Sequence, residues 1–196
     1  MSRKPAMKDA KRSDKEQPFL TDVKTLRARA RQHIADGAVT EDYGGDTETA
    51  VKLLNTALAT EIVCVLRYKR HYYMARGIHS GSVAAEFLEH AGEEQEHADR
   101  IAERIVQLGG APDFAPDSLS ARSHSEYVEG NSLVDMIKED LIAERIAIDS
   151  YREMIRYFAP FDSTTRTMLE EITATEEEHA DDLADLLQNL PKDLRS

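Results

Sequence analysis

The chain predicts an all-α protein: a four-helix bundle of two antiparallel hairpins joined by a long crossover, preceded by a short N-terminal helix and a basic arm. Three observations predict it. Four segments carry apolar residues at alternating three- and four-residue spacings, which keeps one helix face turned toward its neighbours. Two short breaks and one long one separate these segments. The two halves of the chain also resemble each other, Glu94-Gln95-Glu96-His97-Ala98-Asp99 matching Glu176-Glu177-Glu178-His179-Ala180-Asp181.

Residues 1–18 are polar and charged, with Pro5 and Pro18, a composition that reads as a disordered arm. A short helix is expected over 21–36, capped by Thr21 or Asp22, with Val23, Leu26, Ala30 and Ile34 as its apolar edge and Gly37 as its stop. Gly44 and Gly45 then break the chain, so that residues 1–45 form an N-terminal region and 46–190 the bundle. The first bundle helix spans about 47–76 behind Asp46 or Thr47 as cap. The second, about 82–108, stops at Gly109-Gly110 and Pro112. Residues 110–131 contain two prolines, four serines and Gly130 with little periodicity; a connection of that length runs back along the bundle and makes the second and third helices parallel. The third helix, about 132–159, ends before Pro160, and the fourth, about 163–189, before Pro191.

A length of 196 residues, 41% of them hydrophobic, suits one domain with a substantial core. Charge is uneven: residues 1–31 hold 10 Lys/Arg against 4 Asp/Glu, and residues 46–196 hold 15 against 30. An acidic body attracts cations; a basic arm suits polyanions such as DNA, which it would bind non-specifically and salt-dependently. The single cysteine, Cys64, excludes a disulfide scaffold and a cysteine-rich zinc site, and reads as a buried, inert thiol in a reducing compartment. No run of 18 uninterrupted apolar residues occurs and no apolar segment follows the N-terminal charges, so neither a membrane span nor a signal peptide is expected, and a cytoplasmic location is.

The chemistry lies inside the apolar stripes. Val51, Leu54, Leu58, Glu61, Val65, Tyr68 and Tyr72 form the first, and Glu61 sits where a leucine would be expected. Glu94, Glu144 and Glu176 interrupt the other three stripes in the same way, and His97 and His179 each follow a stripe glutamate by three residues. A buried ionised carboxylate costs several kcal/mol unless it is paired or bound to a cation, so four in one core call for a common partner. Glu61 lies 15 residues before Arg76 and Glu94 lies 12 after Ser82; at 1.5 Å per residue the two meet at one height in a hairpin, and Glu144 with Glu176 repeat the pattern. Carboxylate and imidazole without thiolate favour iron, manganese or zinc. Glu-x-x-His puts both side chains on one helix face, so a single ion can take both. Two such motifs plus two further glutamates make a set of six for two ions.

These residues, in the order Glu61, Glu94-x-x-His97, Glu144, Glu176-x-x-His179 with the crossover between the pairs, resemble the bacterioferritins and the wider ferritin-like superfamily over about residues 47–189. The resemblance implies a ferritin-like four-helix bundle with a di-iron ferroxidase centre. It implies that Glu94 and Glu176 bridge two irons, that Glu61 and His97 complete one, and that Glu144 and His179 complete the other. It further implies oxidation of Fe(II) by O2 or H2O2 and storage of Fe(III) inside a hollow homo-oligomer. Tyr68 matches a tyrosine close to that centre. Bacterioferritins bind haem through a methionine directly after the first bridging glutamate; Gln95 stands there, which argues against haem at that position. They also carry a fifth short helix, for which the residues after Asn189 leave almost no room, so the shell size stays open. The basic arm looks more like the tails of DNA-protecting starvation ferritins, but the cysteine pair of their relatives with a bacterioferritin-like site is absent. A soluble dimetal peroxide-detoxifying enzyme, such as a manganese catalase, is the alternative on the same bundle.

Around the set, Tyr68 and Tyr151 each fall seven residues after a stripe glutamate and serve either packing or redox chemistry. Glu93, Glu96, Glu177 and Glu178 read as solvated or supporting side chains. Glu86, Glu89 and His90 form either an iron path or a plain exposed polar face. His33, His71, His79 and His124 show no partner pattern, and Arg67, Lys69, Arg70 and Arg76 read as an exposed face making salt bridges.

Overall fold

The computed structural model describes residues 21–77 and 80–191; the charged arm of residues 1–18, His79 and the last five residues lie outside them. The described residues form α1 (Val23–Arg29), a 3-10 turn (Ile34–Asp36), α2 (Thr47–Met74), α3 (Ser80–Gln107), a second 3-10 turn (Pro116–Ser118), α4 (Leu119–Arg122), α5 (Leu133–Phe158) and α6 (Ser163–Asn189), with no strand among them. α2 packs on α3 and α5 on α6, each pair a hairpin with a short turn, and the segment containing α4 crosses between the hairpins. The fold is the all-α bundle that the stripes predict.

Local chemistry sets the helix ends. The side chains of Asp46, Ser132 and Asp162 accept hydrogen bonds from the backbone N–H of Thr49, Asp135 and Thr165 at 3.0, 3.1 and 2.8 Å, satisfying orphan donors at the starts of α2, α5 and α6. α3 ends where Gly109 turns left-handed at φ +79° and the Gly110 N–H donates back to Ile105 O at 2.9 Å. A Cβ on Gly110 would come within 2.6 Å of the Val51 methyls, so the glycine lets the start of α2 and the end of α3 close up.

Two expectations need correction here. The helix expected over 21–36 is only Val23–Arg29, capped by Asp22, and the 3-10 turn after it begins at His33, whose φ is +51°. α1 buries no residue, and Val23, Leu26 and Ile34 are 60%, 49% and 76% exposed, so no packing extends a helix too short to persist by propensity alone. Arg67 is not on an exposed face. It is 1% exposed and its Nε donates to Asp140 Oδ1 at 2.8 Å; Arg70 is half-buried and pairs with Glu129 at 2.6 Å.

Most of the core falls into two apolar clusters. One holds Leu54, Leu58, Ile101, Ile105, Ala147, Phe158, Leu169 and Ile172. The other holds Cys64, Tyr68, Phe87, Ala91, Ile137, Ala143 and Leu183. On each of the four long helices the boundary between the clusters falls at a glutamate: Glu61, Glu94, Glu144 or Glu176. Burial also pushes the Cys64 thiol well above its ordinary pKa, as an inert thiol requires. α2 is long and apolar enough to cross a membrane by length and hydropathy alone, but most of its apolar residues face into this core, Leu66, Tyr73 and Met74 being exposed.

The crossover, read as a featureless connection, is held along its length. Leu119 of α4 packs with Ala59 and Val63 of α2. Arg122 Nη1 donates to Asn55 O at 3.0 Å, and Asn55 in turn accepts from the Asp113 N–H at 2.7 Å. Further along, Arg67 Nη1 donates to Glu126 O at 2.9 Å.

Candidate metal centre

Between the two apolar clusters the structure brings all six stripe-derived residues together. Glu61 and Glu94 are 1% exposed, Glu144 and Glu176 0%, His97 4% and His179 2%. His97 Nδ1 lies 2.9 Å from Glu176 Oε1, 3.5 Å from Glu61 Oε2 and 3.8 Å from Glu94 Oε2. His179 Nδ1 lies 3.6 Å from Glu176 Oε2 and 3.7 Å from Glu94 Oε1. The atoms form two groups, each small enough for one ion: Glu61, Glu94, His97 and Glu176, and Glu94, Glu144, Glu176 and His179. Glu94 and Glu176 belong to both.

Among the described residues most of these donor atoms have no other partner. Both carboxylate oxygens of Glu61, Glu94 and Glu176, Oε2 of Glu144, and Nδ1 of His97 and His179 are buried without a hydrogen-bond partner, the short approaches lacking hydrogen-bond alignment. Buried polar atoms left unmatched are costly, and here they all face one another. Four carboxylates and two imidazoles, with no thiolate among them, fit a pair of divalent cations.

The protonation of the cluster tells the same story. Burial, then the neighbouring Glu94 and Glu176 carboxylates, push Glu61 and Glu144 well above the ordinary carboxylate range. Burial pulls the same way on Glu94 and Glu176, but the close approach of Glu61, His179 and His97 to Glu94, and of His179 and His97 to Glu176, outweighs it and lowers both. Burial also opposes charge on the histidines, yet Glu176 and Glu94 raise His97 to about 9 and His179 to about 11. The raised histidines thus offset the charge of the two lowered carboxylates.

Neighbouring side chains orient the donors. His179 Nε2 lies 2.7 Å from Glu93 Oε2, an arrangement in which the ring donates outward and presents Nδ1 to the centre. Tyr68 donates its hydroxyl proton to Glu144 Oε1 and leaves Oε2 free, and His90 Nδ1 approaches the same hydroxyl at 3.3 Å. His90 is 2% exposed and stacks on His179 with ring centroids 3.9 Å apart, so it is no part of an exposed polar face. Tyr151 is fully buried and its hydroxyl has no partner.

One group went unseen in the sequence. Asp140 is 0% exposed and accepts from Arg67 Nε at 2.8 Å, while His71 Nδ1 meets its other oxygen at 2.8 Å and His71 Nε2 lies 3.1 Å from Val128 O. The signal was present: Asp140 precedes Glu144 by one helical turn and Arg67 precedes His71 by one, so each pair shares a face.

A family model described as the ferritin-like domain matches residues 51–193, and the chain belongs to that family. It is 30% identical over 149 residues to a bacterioferritin of Mycobacterium avium, covering 76% of this chain and 89% of that protein. Among solved structures, a dodecameric thioferritin, the bacterioferritin-related protein of Bacteroides fragilis, superposes with a TM-score of 0.71 at 32% identity over 74% of this chain and 87% of that one. The bacterioferritin of Rhodobacter capsulatus, described with a metal-free dinuclear site and haem iron, does so with a TM-score of 0.64 at 27% identity, covering 72% of this chain and 84% of that one.

Proposed function

We propose that the chain is an iron-storing ferroxidase. It takes two Fe(II) ions per subunit between Glu61, Glu94, His97, Glu144, Glu176 and His179, oxidises them with O2 or H2O2, and keeps the Fe(III) inside a hollow homo-oligomer. The observation that carries this reading is the set of buried donor atoms without partners, divided into two four-residue groups that share Glu94 and Glu176. The family and the relatives named bacterioferritin support iron as the metal.

Each Fe(II) gives up one electron; the pair reduces O2 with two protons to H2O2, or H2O2 with two protons to water. The protein's share is positioning and charge. Glu94 and Glu176 hold the two ions close enough to deliver electrons as a pair. Glu61 with His97, and Glu144 with His179, complete the two ends, and their net negative charge favours the higher oxidation state. Tyr68 holds Glu144 by one oxygen, and Glu93 fixes the His179 tautomer.

The test is aerobic Fe(II) loading of the purified protein, with light scattering and iron counting on the oligomer. Hundreds of Fe(III) held in a large closed particle are expected. About two metals per chain in a small oligomer would point instead to a soluble dimetal enzyme that consumes peroxide. Glu94→Ala with His97→Ala should abolish rapid oxidation and leave the helical fold; an unchanged rate would refute the site.

A second reading, protection of DNA, rests on the arm's excess of 10 Lys/Arg over 4 Asp/Glu in residues 1–31 and on a Synechococcus relative, 29% identical over 137 residues, named a nutrient stress-induced DNA-binding protein. Salt-sensitive retardation of DNA that vanishes on deleting residues 1–31 would support it.

A further inference from the structure

We propose that Tyr151 is a positioning residue of the dinuclear centre, its hydroxyl donating to Glu61 when a cation is bound there, as the Tyr68 hydroxyl donates to Glu144. Tyr151 is 0% exposed and its hydroxyl has no hydrogen-bond partner. A buried polar atom left unmatched is costly, and a phenylalanine would fill the same space without that cost. Packing alone therefore does not account for a tyrosine here.

The likeness of the two hairpins supplies the partner. Glu61 and Tyr68 on α2 correspond to Glu144 and Tyr151 on α5, the tyrosine following the glutamate by two helical turns in both. Long helical side chains lean toward the start of their helix, which carries each ring back toward the level of the glutamates. Tyr68 then crosses to the other hairpin and donates to Glu144 Oε1. The same displacement from Tyr151 leads to Glu61, whose two oxygens are both buried without partners. One donor and one acceptor are thus left over at corresponding places.

The likeness breaks beside the rings. Tyr68 packs on Phe87 with ring centroids 6.0 Å apart, and its oxygen meets His90 Nδ1 at 3.3 Å. The residues of α6 that correspond to Phe87 and His90, at the same spacings before the Glu-x-x-His motif, are Leu169 and Ile172. Both belong with Tyr151 to one apolar cluster. Tyr151 therefore has no counterpart of His90, and its proton is uncommitted. With one Glu61 oxygen given to a cation, the other can accept that proton, so that Glu61 is held to a single donor oxygen as Tyr68 holds Glu144. This role rests on the proposed dinuclear reading.

Co(II) binding, followed by equilibrium dialysis and by the visible absorption of the bound ion, tests role and centre separately. About two Co(II) per chain are expected for the unaltered protein and for Tyr151→Phe, with one ion held about tenfold more weakly in the variant and its absorption band shifted. Without metal, Tyr151→Phe should melt no lower than the unaltered protein, because the hydroxyl it loses has no partner there. The loss of affinity should disappear in a Glu61→Ala background and persist in Glu144→Ala. Both ions held as tightly in Tyr151→Phe as in the unaltered protein overturn the role and leave the centre standing. A loss that persists in Glu61→Ala overturns the pairing with Glu61. A lower melting point without metal, with both ions weakened equally, makes Tyr151 a packing residue and overturns the role. No Co(II) bound by the unaltered protein overturns the centre, and the role with it.

Discussion

Glu93 shows how little separates a supporting side chain from a solvated one. It sits beside Glu94 on α3, is 44% exposed, and still reaches His179 Nε2 at 2.7 Å. Partners that orient a metal-binding histidine commonly change affinity or activity by about 10–100-fold, so Glu93→Ala should weaken Co(II) binding by at least about tenfold while helicity is retained, as read by dialysis and circular dichroism. Tyr68→Phe removes the hydrogen bond to Glu144 and the contact with His90, and should slow Fe(II) oxidation in stopped-flow absorbance without changing how many ions bind. The six donors were legible residue by residue because each breaks a stripe where only an apolar side chain would pack. Which reading of Glu93 and of His90 holds was not legible, because their partners sit on other helices and periodicity along α3 carries no information about a facing helix.

Among elements, the contact between α2 and α5 is built on buried charge, Arg67 and His71 of α2 meeting Asp140 of α5. Asp140 alone neutralises Arg67 and also engages His71, and through these two side chains it fixes Glu126 and Val128 of the crossover. Asp140→Ala strands a guanidinium that is 1% exposed and should cost about 3–5 kcal/mol, seen as a lower urea midpoint. Long helices and their ends were readable from stripes, caps and glycines. The crossover was not, because single hydrogen bonds hold it to residues more than 50 positions away, such as Arg122 to Asn55. α1 failed for the opposite reason, local helix signals with no surface to pack on.

The start of α6 adds a pH response. Burial alone would raise Asp162, but its bonds from Thr165 and Arg104 lower it beneath the ordinary 3.8. A depressed folded-state pKa means that its stabilisation is complete above the unfolded value and is lost as pH falls through the folded one. Urea midpoints of the unaltered protein should therefore fall in acid below about pH 4, and those of Asp162→Asn, which still caps the helix, should fall less steeply.

For the whole molecule, the shifted groups of the cluster link cation binding, protonation and folding. Cations filling the centre compete with protons on His97 and His179, held at about 9 and about 11, and on Glu61 and Glu144, which burial raises above the ordinary carboxylate range. Calorimetric titration near neutral pH in two buffers of different ionisation enthalpy should report net release of protons. The folded protein alone offers both groups, so saturating cation should raise the thermal midpoint and chelator should lower it again.

Each group of donors draws three side chains from one hairpin and one from the other: Glu176 joins Glu61, Glu94 and His97, and Glu94 joins Glu144, Glu176 and His179. The arrangement is a clasp. If the hairpins part, neither half is emptied; each keeps a three-pronged claw and surrenders only the rung borrowed from its twin. On the proposed reading, opening the bundle would leave each of the two ions loosely guarded by three ligands, and discharge would begin at the seam between the halves.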